Sequence, residues 1–230
     1  MSGDGALRLI LYSDGYNHPF ARSSEALASI ARGFGLAVTI TSDLADALGQ
    51  LQPGRDVLGV NALRWSMTQF ERYAADRPLW AGRLSSEHLA AMTDHVARGG
   101  GLLAMHTAVI CWDNQPGWLD LLGGGWNWDR SHHPPLGPIT VQPLAAGAVP
   151  FEAVDEAYHH LDPAADCEIM ATADAGEGAQ PVVWRRRHGS GRIVVDALGH
   201  DERSLGTTGH VAILQAMLGW LCERETVHDA

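Results

Sequence analysis

Short apolar runs alternate with amphipathic segments through the first half of the chain. Apolar runs of this length predict β-strands, whereas apolar residues spaced three or four apart predict α-helices. We predict strands at 7–12, 37–41 and 56–60, and helices at 23–34 and 43–51. Asp43 is the expected N-cap of the second helix, because its side chain can accept hydrogen bonds from the first turn.

The clearest helix lies at 84–98, with Ser85 or Ser86 as its N-cap and Gly99 just beyond its end. It leads directly into an apolar strand at 102–106, a pattern typical of a central parallel strand that is buried on both faces. The alternation of strands and helices therefore predicts an α/β fold, with a mostly parallel central sheet and helices on both sides.

The second half of the chain differs in pattern and is rich in Gly, Trp and Pro. It predicts a strand at 139–141, a β-hairpin at 181–196 that turns at 189–191, and a final amphipathic helix at 208–222. No repeat or linker separates the two halves. We therefore expect a single domain, residues 1–230, with a β-rich elaboration in its second half.

Composition and charge narrow the function classes. Hydrophobic residues make up 46% of the 230 residues and charged residues 19%, which excludes a disordered chain. The 16 Arg and 27 acidic residues give a net charge of −11, which argues against nucleic acid or an anionic membrane as a partner. The three cysteines form no CxxC motif or disulfide framework. We expect a cytoplasmic protein with neither a signal peptide nor a membrane span.

Polar residues follow three of the predicted strands. They are the loop 13–18, His106 with Thr107, and the loop 199–202. Because ligands of open α/β sheets bind beyond the carboxyl ends of the strands, we expect these loops to converge there. Two further polar clusters lie between the strands, at 131–133 and 155–160. Imidazoles with a carboxylate suit either a Zn²⁺ ion or acid–base chemistry without a metal.

Several short motifs occur in a fixed order along the chain. They are a first-strand loop ending in His (13–18), a Gly-Gly-Gly-Leu…His turn (99–106), a Leu-Gly-Gly…His segment (122–133), Asp-Glu-x-Tyr (155–158), and Pro-Val-x-Trp…Gly-x-Gly-Arg…Leu-Gly-His-Asp (181–201). Together they cover nearly the whole chain, and their combination resembles the ThuA-like, or trehalose-utilisation, proteins. The resemblance implies a flavodoxin-like three-layer sandwich of the class I glutamine amidotransferase-like superfamily.

The resemblance does not imply glutaminase activity. Amidotransferases of that superfamily carry a nucleophilic Cys at the turn after the central strand. In this chain His106 stands at that turn, and Cys111 lies five residues further on. The Gly triplet at 123–125 lacks the Lys-Ser/Thr of a phosphate-binding loop, so we expect no nucleotide cofactor either.

The resemblance implies a carbohydrate or keto-sugar substrate. We expect an enzyme that acts on a sugar or a 3-keto-sugar by lyase, hydrolase or isomerase chemistry. We expect His106, Glu156 and His200 to be its catalytic residues. The same three could ligate a divalent metal, for which we favour zinc, with His18 or His133 completing the set. Alternatively, they form a metal-free acid–base cluster.

Other residues near these clusters are candidates for substrate contacts. They are Asp14, Tyr16, Asn17, His18, Thr107, Trp126, His133, Tyr158 and Asp201. The alternative function is a non-catalytic sugar-binding or accessory subunit of a sugar dehydrogenase. We expect a small-molecule carbohydrate as the ligand, a functional link to a sugar dehydrogenase, and a homodimer.

Overall fold

The structure is a computed structural model, and it describes residues 7–223. The first six residues, where we expect no signal peptide, lie outside this range. The first half contains β1 (Arg8–Gly15), α1 (Phe20–Phe34), β2 (Ala37–Thr41), α2 (Leu44–Gln50), β3 (Val57–Leu63), α3 (Arg77–Trp80), α4 (Ser86–Ala97) and β4 (Gly101–Met105). The second half contains a 3-10 helix (His106–Ile110), α5 (Pro116–Leu122), β5 (Gly137–Pro143), β6 (Phe151–Asp155), β7 (Glu168–Asp174), β8 (Gln180–His188), β9 (Gly191–Asp196), α6 (Glu202–Leu205) and α7 (Thr208–Cys222).

The predicted caps and hairpin are confirmed. The Asp43 carboxylate accepts hydrogen bonds from the amides of Ala45 and Asp46, and Ser85 rather than Ser86 caps α4. The chain reverses between β8 and β9 within two residues, and Gly189 has a φ of +58° there. Glycine adopts this left-handed backbone without steric cost, which is why the turn is recognisable in the sequence. The elements α3, α5, β6, β7 and α6 were not predicted.

The nine strands of the described residues belong to one sheet, in the order β2-β1-β3-β4-β9-β8-β7-β5-β6. The first five positions are parallel, and the remaining neighbours are antiparallel. The sheet is therefore mixed rather than mostly parallel. The physical reason is that β8 reaches β9 through a tight hairpin, which forces an antiparallel pair, and the strands beyond it continue in that manner.

The core lies around the central strands, since every residue of β3, β4 and β9 is buried. Two groups of helices cover these strands: α1 contacts α6 and α7, and α4 contacts α2 and α5. Because β1, β4 and β9 are parallel, their carboxyl ends meet at one edge of the sheet. The loops that leave this edge begin with the polar residues singled out above.

Within residues 7–223, none of the helices combines the length and the apolar character that crossing a membrane requires.

Candidate functional site

His106 occupies the turn at the end of β4. Its φ of +46° lies in the left-handed region, which non-glycine residues adopt only where the surrounding structure enforces it. The side chain is 1% exposed, and Nδ1 donates a hydrogen bond to the Ala197 carbonyl at 3.0 Å. A carbonyl can only accept, so Nδ1 carries a proton, and in the neutral imidazole Nε2 carries a lone pair. Nε2 lies 3.1 Å from the Tyr158 hydroxyl.

Glu156 follows β6 and is surrounded by imidazoles. Its Oε2 lies 3.4 Å from Nε2 of His106 and 3.4 Å from Nδ1 of His200, and its Oε1 lies 3.7 Å from Nδ1 of His133. Burial alone raises the pKa of the carboxyl. The nearby imidazoles of His106 and His200, which favour the ionised carboxylate when they are protonated, outweigh this effect, so the pKa of Glu156 lies well below its usual range. The carboxylate is therefore the fixed negative charge of this cluster.

The neighbouring carboxylate, Asp155, positions the loop that carries His200. It accepts hydrogen bonds from the amides of Gly199 at 2.7 Å and His200 at 3.3 Å, and from the hydroxyl of Ser204. It also accepts from the amide of Glu156 at 2.8 Å. One buried side chain thus links the end of β6 to the loop between β9 and α6.

His18 approaches the cluster from the loop after β1. Its Nδ1 donates to the Tyr16 carbonyl at 3.1 Å, and its ring centroid lies 4.7 Å from that of His200 and 5.3 Å from that of His106. Within the described part of the chain, its buried Nε2 has no hydrogen-bond partner. Burial, reinforced by the neighbouring imidazoles, lowers the pKa of His18 to about 3. His18 is therefore neutral near pH 7.

These residues fit a divalent metal ion. His18, His106, Glu156 and His200 each offer a donor atom, and the four atoms lie within 4.8 Å of one another. Metal-ligating imidazoles commonly donate their second ring N–H to a backbone carbonyl, which fixes the tautomer. His18 and His106 both do so, and both present an unprotonated Nε2. Three imidazoles and one carboxylate are ligands that Zn²⁺ accepts.

A cavity of about 720 Å³ opens above this cluster. Its polar lining includes His18, His133, Glu156, Tyr158 and His200, whereas His106 lies beneath the lining. His106 is therefore shielded from a ligand in the cavity. This burial favours a ligating or positioning role for His106 over that of a base in direct contact with substrate.

Aromatic side chains form a large part of the cavity wall. The aromatic wall consists of Tyr16, Trp65, Phe70, Tyr73, Trp126, Trp128 and Tyr158. The guanidinium of Arg72 lies over Phe70 at 4.8 Å and over Tyr73 at 4.9 Å. Tyr16, Trp126 and Tyr158 were predicted to contact substrate, whereas the other four aromatics and Arg72 were not. Their only signal in the sequence is an enrichment in aromatics at 65–73 and 126–128.

The predicted substrate-contacting residues separate into two groups. Tyr16, Asn17, His18, Trp126, His133 and Tyr158 line the cavity. The other three, Asp14, Thr107 and Asp201, are not part of the cavity lining. Their polar atoms form hydrogen bonds or ion pairs with neighbouring protein groups instead. Asp14 accepts from Nε of Arg64 at 2.6 Å, the Thr107 hydroxyl donates to the Ala62 carbonyl at 2.7 Å, and Asp201 caps α6 and pairs with Arg203.

Cys111 does not resemble a nucleophile. It is 1% exposed, and its thiol donates to the Ala62 carbonyl at 3.1 Å. Burial raises the pKa of the thiol to about 12, so the reactive thiolate is scarce near neutral pH.

Comparisons with known proteins agree with this fold. The sequence model of the ThuA family, described as trehalose utilisation, matches residues 8–221. No curated protein matches the chain. A ThuA-like protein from Parabacteroides merdae ATCC 43184 superposes with a TM-score of 0.70 at 16% identity, covering 94% of this chain and 90% of that one. A ThuA-like protein from Bacteroides uniformis ATCC 8492 gives 0.62 at 16% identity, covering 92% and 90%.

A larger protein also contains a similar fold. The β-galactosidase from Rahnella sp. R3 superposes with a TM-score of 0.60 at 13% identity, covering 95% of this chain but 32% of that chain. At these identities, the three solved structures establish a likeness of fold alone.

Proposed function

Since the chain belongs to the ThuA family of trehalose utilisation, we propose that it is an enzyme acting on a sugar or a 3-keto-sugar in disaccharide utilisation. The five parallel strands at the start of the sheet support a flavodoxin-like, class I glutamine amidotransferase-like core. The four antiparallel neighbours are the β-rich elaboration of that core.

One observation carries the proposal: a buried carboxylate bordered by imidazoles lies at the base of an aromatic-walled cavity. Aromatic faces offer flat apolar surfaces to the C–H groups of a sugar ring. The volume of about 720 Å³ lies within the range of small-molecule sites, roughly 300–1,000 Å³. The cavity thus combines a surface suited to sugars with groups that can move protons.

A ketone at C3 of a glycoside makes elimination at C1 and C2 accessible, because it acidifies the C2–H bond. Removal of the C2 proton gives an enediolate. Its electron pair forms the C1–C2 double bond while the glycosidic C1–O bond breaks. The departing oxygen then takes up a proton. This reaction consumes no oxidant or reductant, and it needs one group that accepts and returns a proton.

We assign proton transfer to His133, a cavity-lining imidazole outside the four-residue donor set. Its Nδ1 donates to the Pro134 carbonyl at 2.9 Å, so Nε2 carries a lone pair that can accept the C2 proton. The Glu156 carboxylate nearby stabilises the imidazolium that forms. The same imidazolium returns the proton to the departing oxygen.

The reaction also requires stabilisation of the negative charge on the enediolate. We assign this role to the four residues of the donor set, His18, His106, Glu156 and His200. A divalent metal held by these four residues would supply a Lewis acid for the enediolate oxygen. The hydroxyl of Tyr158, which also lies beside Nε2 of His106, donates to Oε2 of Glu156 and holds that carboxylate in place from below. Glu156 and His200 thus remain proposed catalytic residues, whereas proton transfer is assigned to His133 and His106, expected as base or ligand, is proposed as a ligand.

Exchange of the C2 proton with solvent tests this assignment directly. A 3-keto-glucoside is incubated with the protein in D₂O, and NMR follows both C2–H exchange and release of the leaving group. We expect His133→Ala to lower both rates by about 10²–10⁴-fold, the usual contribution of a general base. Glu156→Gln and His200→Ala should also lower them, whereas His188→Ala, outside the cavity, should not. Equal rates for His133→Ala and the wild type would contradict the assignment.

The aromatic wall favours a second candidate, a non-catalytic sugar-binding or accessory subunit. Such a protein would bind sugars and keto-sugars, measured by thermal shift, but it would neither exchange the C2 proton nor release a product. The same experiment therefore separates the two functions.

A 3-keto-sugar arises by oxidation of the C3 hydroxyl, so the proposed reaction depends on a sugar dehydrogenase that acts before it. We accordingly propose a small-molecule carbohydrate ligand and a functional link to such an enzyme, in the cytoplasm.

A further inference from the structure

A second group of metal-ligating side chains lies at the edge of the cavity. His132, His159 and Glu177 each offer a donor atom, and the three atoms lie within 4.8 Å of one another. None of these residues belongs to the cluster around Glu156. Each comes from a different segment: the loop after α5, the loop after β6, and the turn between β7 and β8.

The hydrogen bonds leave two acceptors facing each other. Nδ1 of His132 donates to the Arg130 carbonyl at 3.3 Å, so its Nε2 carries a lone pair. That Nε2 lies 3.5 Å from Oε2 of Glu177, which is also an acceptor. A cation between the two atoms would satisfy both. The separation suits this, because two ligand atoms about 2.0–2.1 Å from a tetrahedral Zn²⁺ ion lie roughly 3.3–3.5 Å apart.

His159 provides an independent indication of a ligand. The residue is 3% exposed, and its Nε2 is buried without a hydrogen-bond partner among the described residues. A buried polar atom that forms no hydrogen bond is costly, by roughly 1–3 kcal/mol, and coordination would remove that cost. Its ring stacks on that of His132, with 4.6 Å between the centroids.

The backbone already holds this group together. The His159 amide donates to the His132 carbonyl at 2.8 Å, and the Ser131 hydroxyl donates to the His160 carbonyl at 2.8 Å. Thus the two histidine segments are fixed against each other, and a bound ion needs only modest turns of the exposed His132 and Glu177 side chains.

We propose that His132, His159 and Glu177 form a second binding site for a divalent cation with the ligand preferences of Zn²⁺. Two imidazoles and one carboxylate leave the fourth position of a tetrahedral ion to water. The ion would join three segments that flank the cavity, and two of them carry the cavity-lining residues His133 and Tyr158. It would thereby stabilise the cavity wall at its edge, independently of the function proposed for the Glu156 cluster.

Zinc-binding stoichiometry tests the site. Protein purified without a polyhistidine tag is titrated with Zn²⁺ alone in a calorimeter. His132 and Glu177 are about half exposed, with 52% and 55% of their side-chain surface accessible, so His132→Ala and Glu177→Gln should fold normally. We expect each variant to bind one equivalent of Zn²⁺ fewer than the wild type, or to bind that equivalent at least tenfold more weakly. His188→Ala is the matched control and should bind as the wild type does.

The wild type and the variants all retain the Glu156 cluster, so any Zn²⁺ bound there contributes equally to each protein. The loss of one equivalent of Zn²⁺ in a variant therefore reports the second site alone. Bound Co²⁺ gives a second measurement, since its visible absorption is strong in a tetrahedral site and should weaken in His132→Ala. Unchanged stoichiometry and affinity in both variants, or a wild type that binds no Zn²⁺, would overturn the proposal.

Discussion

The hydroxyl of Tyr158 connects the two groups at the centre of the site, since it lies 3.1 Å from Nε2 of His106 and 3.4 Å from Oε2 of Glu156. Tyr158→Phe removes this hydroxyl and leaves the ring packed. We expect the free energy of unfolding to fall by about 1–3 kcal/mol, because buried polar atoms lose a partner. The C2-exchange rate should fall as well, because Glu156 is less firmly held. Urea unfolding and the NMR assay measure the two effects, and a variant indistinguishable from the wild type in both would contradict this role.

A second buried pair, His210 and Asp196, predicts a pH dependence of stability. Burial lowers the pKa of His210, but Asp196 at 2.9 Å raises it more, so the pKa lies above its ordinary value. Protonation of His210 therefore favours the folded state. Its contribution is complete below the unfolded pKa of about 6.5 and is lost as the pH rises through the folded pKa.

The measurement compares the free energy of unfolding in urea of the wild type and of His210→Gln, at about pH 6 and about pH 9. Both proteins share all other titrating groups, so the effects of those groups cancel in the difference between the two proteins. We expect His210→Gln to be the less stable protein, and by a larger margin at the lower pH. A margin that grows towards high pH would contradict the sign of the pKa shift.

At the scale of elements, the sequence predicts best where one local signal is strong. The apolar strand β4, the capped helix α4 and the β8–β9 hairpin each have such a signal, and each is present. By contrast, β6 and β7 each contain two acidic residues, and β7 pairs with β5 across more than twenty residues of chain. The pairing that stabilises these strands is not encoded locally, so periodicity alone did not identify them.

The loop between β9 and α6 depends on Asp155, whose two carboxylate oxygens accept hydrogen bonds from Glu156, Gly199, His200 and Ser204. In Asp155→Asn, one oxygen becomes an NH₂ group that cannot accept them. We expect a loss of about 1–3 kcal/mol in stability. The loop should also loosen, which lowers the C2-exchange rate by displacing His200. Faster amide hydrogen exchange at 199–204 would report the loosening, and unchanged protection there would contradict it.

At the scale of the whole molecule, the site is assembled from residues far apart in sequence. One rule, that ligands bind beyond the carboxyl ends of parallel strands, located three site residues from the sequence: His18, His106 and His200. It succeeded because β1, β4 and β9 are parallel and end at the same edge of the sheet. Glu156 follows an antiparallel edge strand, to which this rule does not apply, and it was indicated by the polar cluster at 155–160 and by the resemblance of its Asp-Glu-x-Tyr motif. No pattern in the sequence indicated that Trp65 and Trp128 stack at 6.1 Å to form one wall, since both lie on loops.

A metal bound by His18, His106, Glu156 and His200 should stabilise the entire fold, because these residues follow four different strands of one sheet. A ligand that binds only the native state contributes about 2.7 kcal/mol at a concentration 100 times its Kd. For a chain of this size that is a rise in Tm of roughly 5–11 °C. The comparison uses His132→Ala, which lacks the second proposed site, and His132→Ala/Glu156→Gln. Added Zn²⁺ should raise the Tm of the first protein, and a chelator should reverse the rise. The second protein should gain far less relative to its own metal-free Tm, and equal gains would show that Glu156 holds no ion.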